Sequence, residues 1–233
     1  MPEIVLMTPG FGAFGKMPAL GDFFRLNLPR DFVDVWDGWL QAGIATLRDR
    51  MGGAWDGCYL SAPIWRFSLP AGQAGQSAMV GVMMPSVDRV GRQFPLTLAC
   101  PVDLATPAEA HFLNAPLFDQ LELLALETLD DAMTRDRLQA RLADLPPPVT
   151  QVAEPQAQDH PGGMTLSAQA PLQPLLARQS LPKAALARGM WSMILDGDHR
   201  LISCDGLPNT PQIQGLFDLQ APLWLPVPQG AEA

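Results

Sequence analysis

Two shortages in the sequence, of cysteine and of long apolar runs, each exclude a class of protein. The cysteines, Cys58, Cys100 and Cys204, are odd in number and widely spaced, so they form neither a disulfide framework nor a metal-ligand pattern. No apolar run approaches the roughly 20 residues of a membrane-spanning helix. The first residues lack the basic segment and apolar run of a secretory signal. We therefore expect a cytoplasmic protein without membrane insertion, bound metal or cofactor.

Basic residues are scarce as well. Lysine and arginine number 15 against 24 acidic residues, a net charge of −9, so no basic face is left for phosphate backbones and nucleic-acid binding is not expected. Residues 101–160 hold three arginines against eleven acidic residues, a net charge of −8. Such a region can attract a basic protein surface. Acidic side chains that merely solvate a helix face are the more common explanation.

What remains is the composition of a globular protein. Of 233 residues, 48% are hydrophobic and only 17% are charged, which excludes a disordered chain. Apolar residues at three- and four-residue steps predict a helix over 31–51, with Asp31 as its N-cap and Gly52 at its end. A second helical region is predicted over 109–143, broken near Asn114. After it we expect a flexible loop at 145–163, an irregular tail from 220 onward and a single domain over 1–233.

Apolar runs between turn signals predict the strands. We place them at 4–7, 58–69, 78–84 and 96–100, with a hairpin at 190–204 that docks on the sheet. Pro63 favours an edge position or a bulge for the second of these strands. Together with the helices, this pattern predicts an α/β fold with a mixed β-sheet flanked by helices.

A glycine-rich segment near the start of the chain fits two phosphate-binding patterns. Residues 10–16 match both G-x-G-x-x-G and G-x-x-x-x-G-K. A nucleotide P-loop needs Ser or Thr after its lysine, but Met17 follows Lys16, and Pro18 opposes the helix that should begin there. We therefore interpret the segment as a turn and not as a nucleotide site.

The stretch around which the chain is organised is a polar loop at 84–96, between the two most apolar strands. It holds Ser86, Asp88, Arg89 and Arg92, and such loops between core strands often carry function. One interpretation is a partner-binding patch with an arginine as the dominant contact. The other is that an aspartate pairs with an arginine to hold the loop onto the sheet. The candidate contact residues are Lys16, Asp22, Asp88, Arg89 and Arg92.

Four motifs, in order along the chain, resemble the TagF (also called ImpM) family. They are Gly12-Ala13-Phe14-Gly15-Lys16-Met17-Pro18-Ala19-Leu20-Gly21-Asp22-Phe23, then Asp37-Gly38-Trp39-Leu40, Ala62-Pro63-Ile64-Trp65-Arg66-Phe67 and Met84-Pro85-Ser86-Val87-Asp88-Arg89-Val90-Gly91-Arg92-Gln93-Phe94-Pro95-Leu96. Two later segments, Trp191-Ser192 and Gly206-Leu207-Pro208, resemble later elements of the family more weakly. The resemblance is close over about 10–100.

This resemblance implies a three-layer α/β sandwich and an accessory role in the bacterial type VI secretion system. The resemblance implies a cytoplasmic, post-translational repressor that acts on the forkhead-associated-domain scaffold of that system. The resemblance implies a non-enzymatic interaction protein and supplies no catalytic residues. A phosphatase domain, fused to this domain in some relatives, does not fit in the chain.

The alternative is a small hydrolase or phosphatase that uses the Ser86-Asp88-Arg89-Arg92 loop. A serine nucleophile needs a base within reach. The histidines are His111, His160 and His199, and none of them lies near a second catalytic-looking group in sequence, although folding could bring one close.

Large aromatic residues are more often core than ligand cage, and we expect this of Trp36, Trp39 and Trp65.

Overall fold

The computed structural model describes residues 10–103, 106–150, 156–160, 163–167 and 182–225. The strand expected at 4–7 lies outside the described residues, as does the tail after 225. The strands are Gly12–Gly15 (β1), Phe24–Leu26 (β2), Trp65–Leu69 (β3), Ala78–Met84 (β4), Leu96–Val102 (β5), Gln156–His160 (β6), Gly163–Ser167 (β7), Gly189–Leu195 (β8) and Asp198–Cys204 (β9).

Along the chain, the described helices lie between the strands or follow the last of them. They are Arg30–Met51 (α1), Trp55–Ser61 (α2), Pro107–Leu113 (α3), Ala115–Glu127 (α4), Arg135–Ala143 (α5), Lys183–Leu186 (α6) and Thr210–Phe217 (α7), with single 3-10 turns at Gly52–Ala54 and Pro222–Trp224. No helix in the described ranges is both long and apolar enough to cross a membrane.

Seven strands form one sheet in the order β2-β1-β5-β4-β3-β8-β9. The predicted α/β fold, with helices against a sheet, is confirmed. The sheet differs from the mixed one expected in one respect, because every pair among its described strands is antiparallel. Its connections include hairpins, which two neighbouring antiparallel strands permit and parallel strands do not.

Both faces of the sheet are covered, which gives three layers. In β4, Met79 and Met83 face a core built with α1, α2 and α7. Val80 and Val82 face a second core built with α4 and α5. Because successive side chains of a strand point to opposite faces, a strand buried on both sides reads as an unbroken apolar run, as β4 does.

The 22-residue helix α1 packs its apolar stripe against the sheet. Trp36 is fully buried, and its indole nitrogen donates to Thr97 Oγ1 at 2.9 Å. Trp65 is buried and Trp39 packs against the same core, so the prediction that these tryptophans form the core is confirmed. The N-cap prediction is wrong: Pro29 precedes the first turn, and the Asp31 carboxylate accepts a hydrogen bond from the Gln76 amide instead.

The strand predicted at 58–69 is wrong in its first half. Residues 55–61 form α2, and the strand is only Trp65–Leu69. Trp55 and Tyr59 are four residues apart and both buried, which is the spacing of one helix face. Pro63 precedes β3, which lies between β4 and β8 and is therefore not an edge strand.

The helical region after β5 is broken at Asn114, as predicted. The Asn114 side chain spans the break: its amide donates to Ala110 O, and it exchanges hydrogen bonds with the backbone of Val149. In the range 145–163, where a flexible loop was expected, residues 156–160 form β6 and pair with β7. The flexibility of the segment 145–163 and the single-domain organisation stay predictions.

At the other end of the sheet, β8 and β9 form a hairpin. Asp196 and Gly197 turn the chain with positive φ angles of 50° and 83°. This is the turn type that an Asp-Gly pair favours, since both central residues must be left-handed. Because β8 also pairs with β3, the hairpin is part of the sheet, and β9 is its edge.

Candidate functional site

The polar loop between β4 and β5, residues 85–95, forms a closed structure that we call the central loop. Its backbone bonds to itself: the Asp88 amide donates to Arg92 O, and the Gly91 amide donates to Asp88 O. Gly91 has a φ of 81°, a left-handed conformation that glycine adopts without strain. Val87 and Gln93 pair across the loop as an isolated bridge. The loop is therefore a tight turn closed by its own backbone hydrogen bonds.

Asp88 lies at the centre of this loop and is only 2% exposed. Its carboxylate accepts hydrogen bonds from the amides of Val90 and Arg92 and from Arg92 Nε at 2.6 Å, and it pairs with Lys16 Nζ at 3.0 Å. Burial alone would raise the pKa of this carboxyl, but these donors outweigh it and hold the pKa well below its usual range. Asp88 is therefore an ionised structural anchor.

Lys16 is the buried partner of Asp88 and not a phosphate ligand. Its side chain is 6% exposed, and its ammonium lies 4.8 Å from the centroid of the Phe23 ring. The glycines before it are explained by packing: a Cβ on Gly12 would overlap the backbone of Leu26, and one on Gly15 would overlap Pro95. The interpretation of this segment as a turn is wrong, because Gly12–Gly15 form strand β1. No helix begins directly after Lys16, so the segment also lacks the loop-to-helix arrangement of a nucleotide site.

The two arginines fasten the loop to the segment between β1 and β2. Arg89 donates from Nη2 to Ala19 O at 2.6 Å, and its amide donates to Leu20 O. Arg92 pairs with Asp88 and donates from Nη2 to Gly21 O at 2.7 Å. Both side chains remain on the surface. Each arginine therefore holds the loop in place, as one sequence interpretation expected of an arginine, and also faces solvent, as a partner-binding residue must.

The structure brings together four of the five candidate residues and leaves one apart. Lys16, Asp88, Arg89 and Arg92 belong to one bonded group. Asp22 is exposed, and the hydrogen bond described for it goes to the amide of the next residue, Phe23. Whether any of these five residues contacts a partner stays a prediction.

Sequence reasoning missed Tyr59, whose side chain bonds to the backbone of the central loop. Its hydroxyl donates to Ser86 O at 2.8 Å and accepts from the Ser86 amide at 3.0 Å. The tyrosine is fully buried. The four-residue spacing of Trp55 and Tyr59 was a sequence signal for a helix here, but Tyr59 was assigned to the predicted strand 58–69 instead.

Two apolar side chains stand on the surface around the central loop. Val90, at its tip, is 72% exposed, and Leu60 of α2 is 66% exposed. Leu60 lines an open cleft of about 600 Å³ together with Arg48, Arg92 and Gln93. A tight turn that presents an apolar tip next to arginines has the composition of a protein-contact surface.

Ser86 does not have the surroundings of a hydrolase nucleophile. It is 3% exposed, and its hydroxyl has no hydrogen-bond partner in the described part of the chain. His111, one of the histidines considered as a base, bonds to Ser68 and Ser192 instead, at 3.1 Å and 2.7 Å. Within the part of the chain that the structure describes, no hydrogen bond joins Ser86 to an imidazole.

The contact of His111 with Ser192 forms part of a polar group on the α3 and α4 side of the sheet. Burial, together with the charge of Arg66, lowers the pKa of His111 to about 3. Such a weakly basic imidazole is poorly matched to proton abstraction at neutral pH. Both ring nitrogens are occupied by hydroxyl groups, so His111 serves as a buried connector between α3 and strands β3 and β8.

Arg66 is the charged member of this group. It binds Glu122 through two donors and Asp119 through a third, which ties β3 to α4. Arg66 and Ser192 are register partners in neighbouring strands. A charged residue between the core residues Trp65 and Phe67 was the available sequence signal for a buried ion pair.

Comparisons with known proteins agree with this geometry. A family model described as "TagF N-terminal domain, Type VI secretion system-associated" matches residues 12–145. The crystal structure of PA0076 from Pseudomonas aeruginosa PAO1 is similar over 94% of this chain and 100% of that chain, with 31% identity and a TM-score of 0.71. The comparison with curated proteins gave no match. The chain therefore belongs to the TagF N-terminal domain family of proteins associated with type VI secretion.

Proposed function

We propose that this protein represses type VI secretion after translation, in the cytoplasm, by binding the forkhead-associated-domain scaffold of the secretion system. The proposal takes the association with type VI secretion from the family and the scaffold from the family resemblance in the sequence. It assigns the protein a binding role and no reaction. The central loop is the proposed contact.

One observation carries the choice of the central loop. Asp88 and Tyr59 fix the turn from inside, while Val90, Arg89 and Arg92 stand outside it. A surface that is already ordered loses little conformational entropy when it binds, so more of its contact energy appears as affinity. Arginine beside an exposed apolar residue is also the composition of interface hot spots.

The function is tested in cells by deletion and complementation. In a strain that lacks the gene, we expect more secreted effector and more assembled scaffold foci than in the parent. The wild-type gene should restore repression. A Val90→Glu gene should not, because the charged side chain disrupts the apolar tip of the loop. Val35→Glu is the matched control, since Val35 is an exposed valine of α1 at 44% exposure.

Two outcomes would contradict the proposal. Unchanged secretion and unchanged foci in the deletion strain would argue against repression. Full repression by the Val90→Glu protein, present at the wild-type level, would keep the function but remove the central loop as its contact. Protein levels are measured by immunoblot in every strain, so that loss of folding is not mistaken for loss of binding.

A further inference from the structure

Helices α1 and α2 meet the central loop at the open cleft of about 600 Å³, which we call the arginine cleft after Arg48 and Arg92 in its lining. Gln93 of the loop joins the two helices there. Its side-chain oxygen accepts hydrogen bonds from Arg48 Nη2 at 2.9 Å and from Trp55 Nε1 at 2.6 Å. Its amide group donates to the Asp56 carboxylate at 2.9 Å. One glutamine thus holds the side chains of three elements around the cleft.

Arg48 is oriented by these contacts but is not neutralised by them. Its guanidinium carbon lies 5.9 Å from the centroid of the Trp55 ring, and its hydrogen bond goes to the neutral side chain of Gln93. Among the residues that the structure describes, no carboxylate lies within ion-pair distance of this guanidinium. A guanidinium has five N–H donors in a fork that matches a carboxylate, and the bond to Gln93 uses one of them. Arg48 therefore presents free donors in a cleft from a side chain that is already positioned.

The other charged groups of the cleft leave this positive charge in place. Asp88, buried beneath the loop, is shared between Lys16 and Arg92, so these three side chains together carry one positive charge. Asp56 is the carboxylate in the lining, and Gln93 stands between it and Arg48. Counting the lining and Asp88 together gives three positive charges against two negative ones.

Charged residues next to the cleft are balanced or lie outside its lining. Arg89 and Asp131 have opposite charges and line a neighbouring cleft. Asp49 and Arg50, which follow Arg48 in α1, are both exposed and also opposite in charge. Asp22 lines neither cleft. The arginine cleft is thus a small positive site on a chain whose net charge is −9.

We propose that the arginine cleft binds an acidic segment of the scaffold, with an Asp or Glu carboxylate accepting hydrogen bonds from Arg48 and an apolar residue against Leu60. Leu60 lines the cleft and is 66% exposed, so it offers that apolar contact. The cleft adjoins the central loop, so this inference rests on the proposed function and names the chemistry of the scaffold segment that the loop meets. A positioned arginine beside an exposed apolar side chain favours such a segment, because charge and shape are both complementary.

The role of Arg48 is tested by the affinity of the purified full-length chain for the purified scaffold. Arg48→Gln should weaken binding by about tenfold, and the salt dependence of the remaining binding should be smaller than that of the wild type. Arg50→Gln is the matched control, since Arg50 is an exposed arginine two residues further along α1, and it should bind as the wild type does. Melting temperatures show that both variants are folded. Equal binding by all three proteins would overturn the inference and leave the proposed function standing. No binding by the wild type would contradict the proposed function and this inference with it.

A second measurement identifies the bound group. The Arg48→Lys chain is mixed with the scaffold and a carbodiimide, which activates a carboxylate so that an amine within reach displaces it and forms an amide bond. We expect mass spectrometry to find position 48 joined to an Asp or Glu of the scaffold, and to find no such adduct at position 50 of the Arg50→Lys chain. A scaffold that binds but gives no adduct specific to position 48, or an adduct that joins two copies of this chain instead, would overturn the inference.

Discussion

At the scale of single residues, Asp88 is the side chain on which several bonds of the central loop converge. Its buried carboxylate accepts hydrogen bonds from two amides and one guanidinium and pairs with one ammonium. Asp22, from the same set of motifs, is exposed and bonds to its own neighbour. Two aspartates that look alike in sequence therefore have different consequences when they are changed.

The first prediction concerns the pH dependence of stability. A carboxyl whose pKa is lowered by folding stabilises the protein above its unfolded pKa of about 3.9, and this contribution is lost as pH falls below that value. We expect Asp88→Asn to be less stable than the wild type by a constant amount from about pH 8 to 5, and the difference to shrink below about pH 4. Urea denaturation at several pH values measures this.

Asp22→Asn is the matched control, and it should follow the wild type across the whole range. A difference between the wild type and Asp88→Asn that persists unchanged to about pH 3 would show that the carboxylate charge is not what holds the loop.

The second prediction concerns His111, whose pKa folding lowers to about 3. Below about pH 6.5 the unfolded chain binds a proton at this residue and the folded chain does not, so the wild type loses stability as pH falls. Relative to His111→Gln, the free energy of unfolding of the wild type should drop by about 1.4 kcal/mol per pH unit between about pH 6 and 4. His199→Gln, at an exposed histidine, should show no such relative change. Parallel pH curves for His111→Gln and the wild type would refute the buried, neutral imidazole.

At the scale of elements, α4 is held by two arginine–glutamate pairs that differ in burial. Arg66 of β3, 8% exposed, binds Glu122 through two donors. Arg141 of α5 binds Glu127 in the same bidentate way, but both side chains are about two-fifths exposed. Helix α4 therefore carries the same type of ion pair in a largely buried and in an exposed environment.

The third prediction compares these pairs by the same substitution. Glu122→Gln should lower the free energy of unfolding by about 1.5–3 kcal/mol, because it weakens charge-assisted hydrogen bonds to a buried arginine. Glu127→Gln should lower it by less than about 1 kcal/mol, because solvent screens the exposed pair. Urea denaturation at neutral pH measures both. Equal losses would mean that burial does not decide the strength of these pairs.

Elements with a clear signal in the sequence were predictable, and those without one were not. Strand β4 was placed at 78–84 because its apolar run is continuous, and the break at Asn114 was placed by the proline that follows. Helix α2 was missed because its seven residues are too few to establish a period beside the strand residues that follow. The antiparallel pairing of the whole sheet is a tertiary property that no local pattern carries.

At the scale of the whole molecule, the sheet with helices on both faces supports the central loop, which connects two of its inner strands. The central loop could be located from its position between two apolar strands. The arrangement of the loop could not be predicted, because Lys16, Tyr59 and Ala19 lie tens of residues away in sequence from the loop residues that they contact. The same holds for His111, whose two serine partners lie 43 and 81 residues away.

The most direct test of the central claim is the affinity of the purified chain for the purified scaffold of its own secretion cluster. We expect the wild type and Val35→Glu to bind equally, and Val90→Glu, with an unchanged melting temperature, to bind at least about tenfold more weakly. Val90 is preferred to the arginines because Arg89 and Arg92 also hold the loop together. No measurable binding by the wild type, or equal binding by all three proteins, would contradict the account.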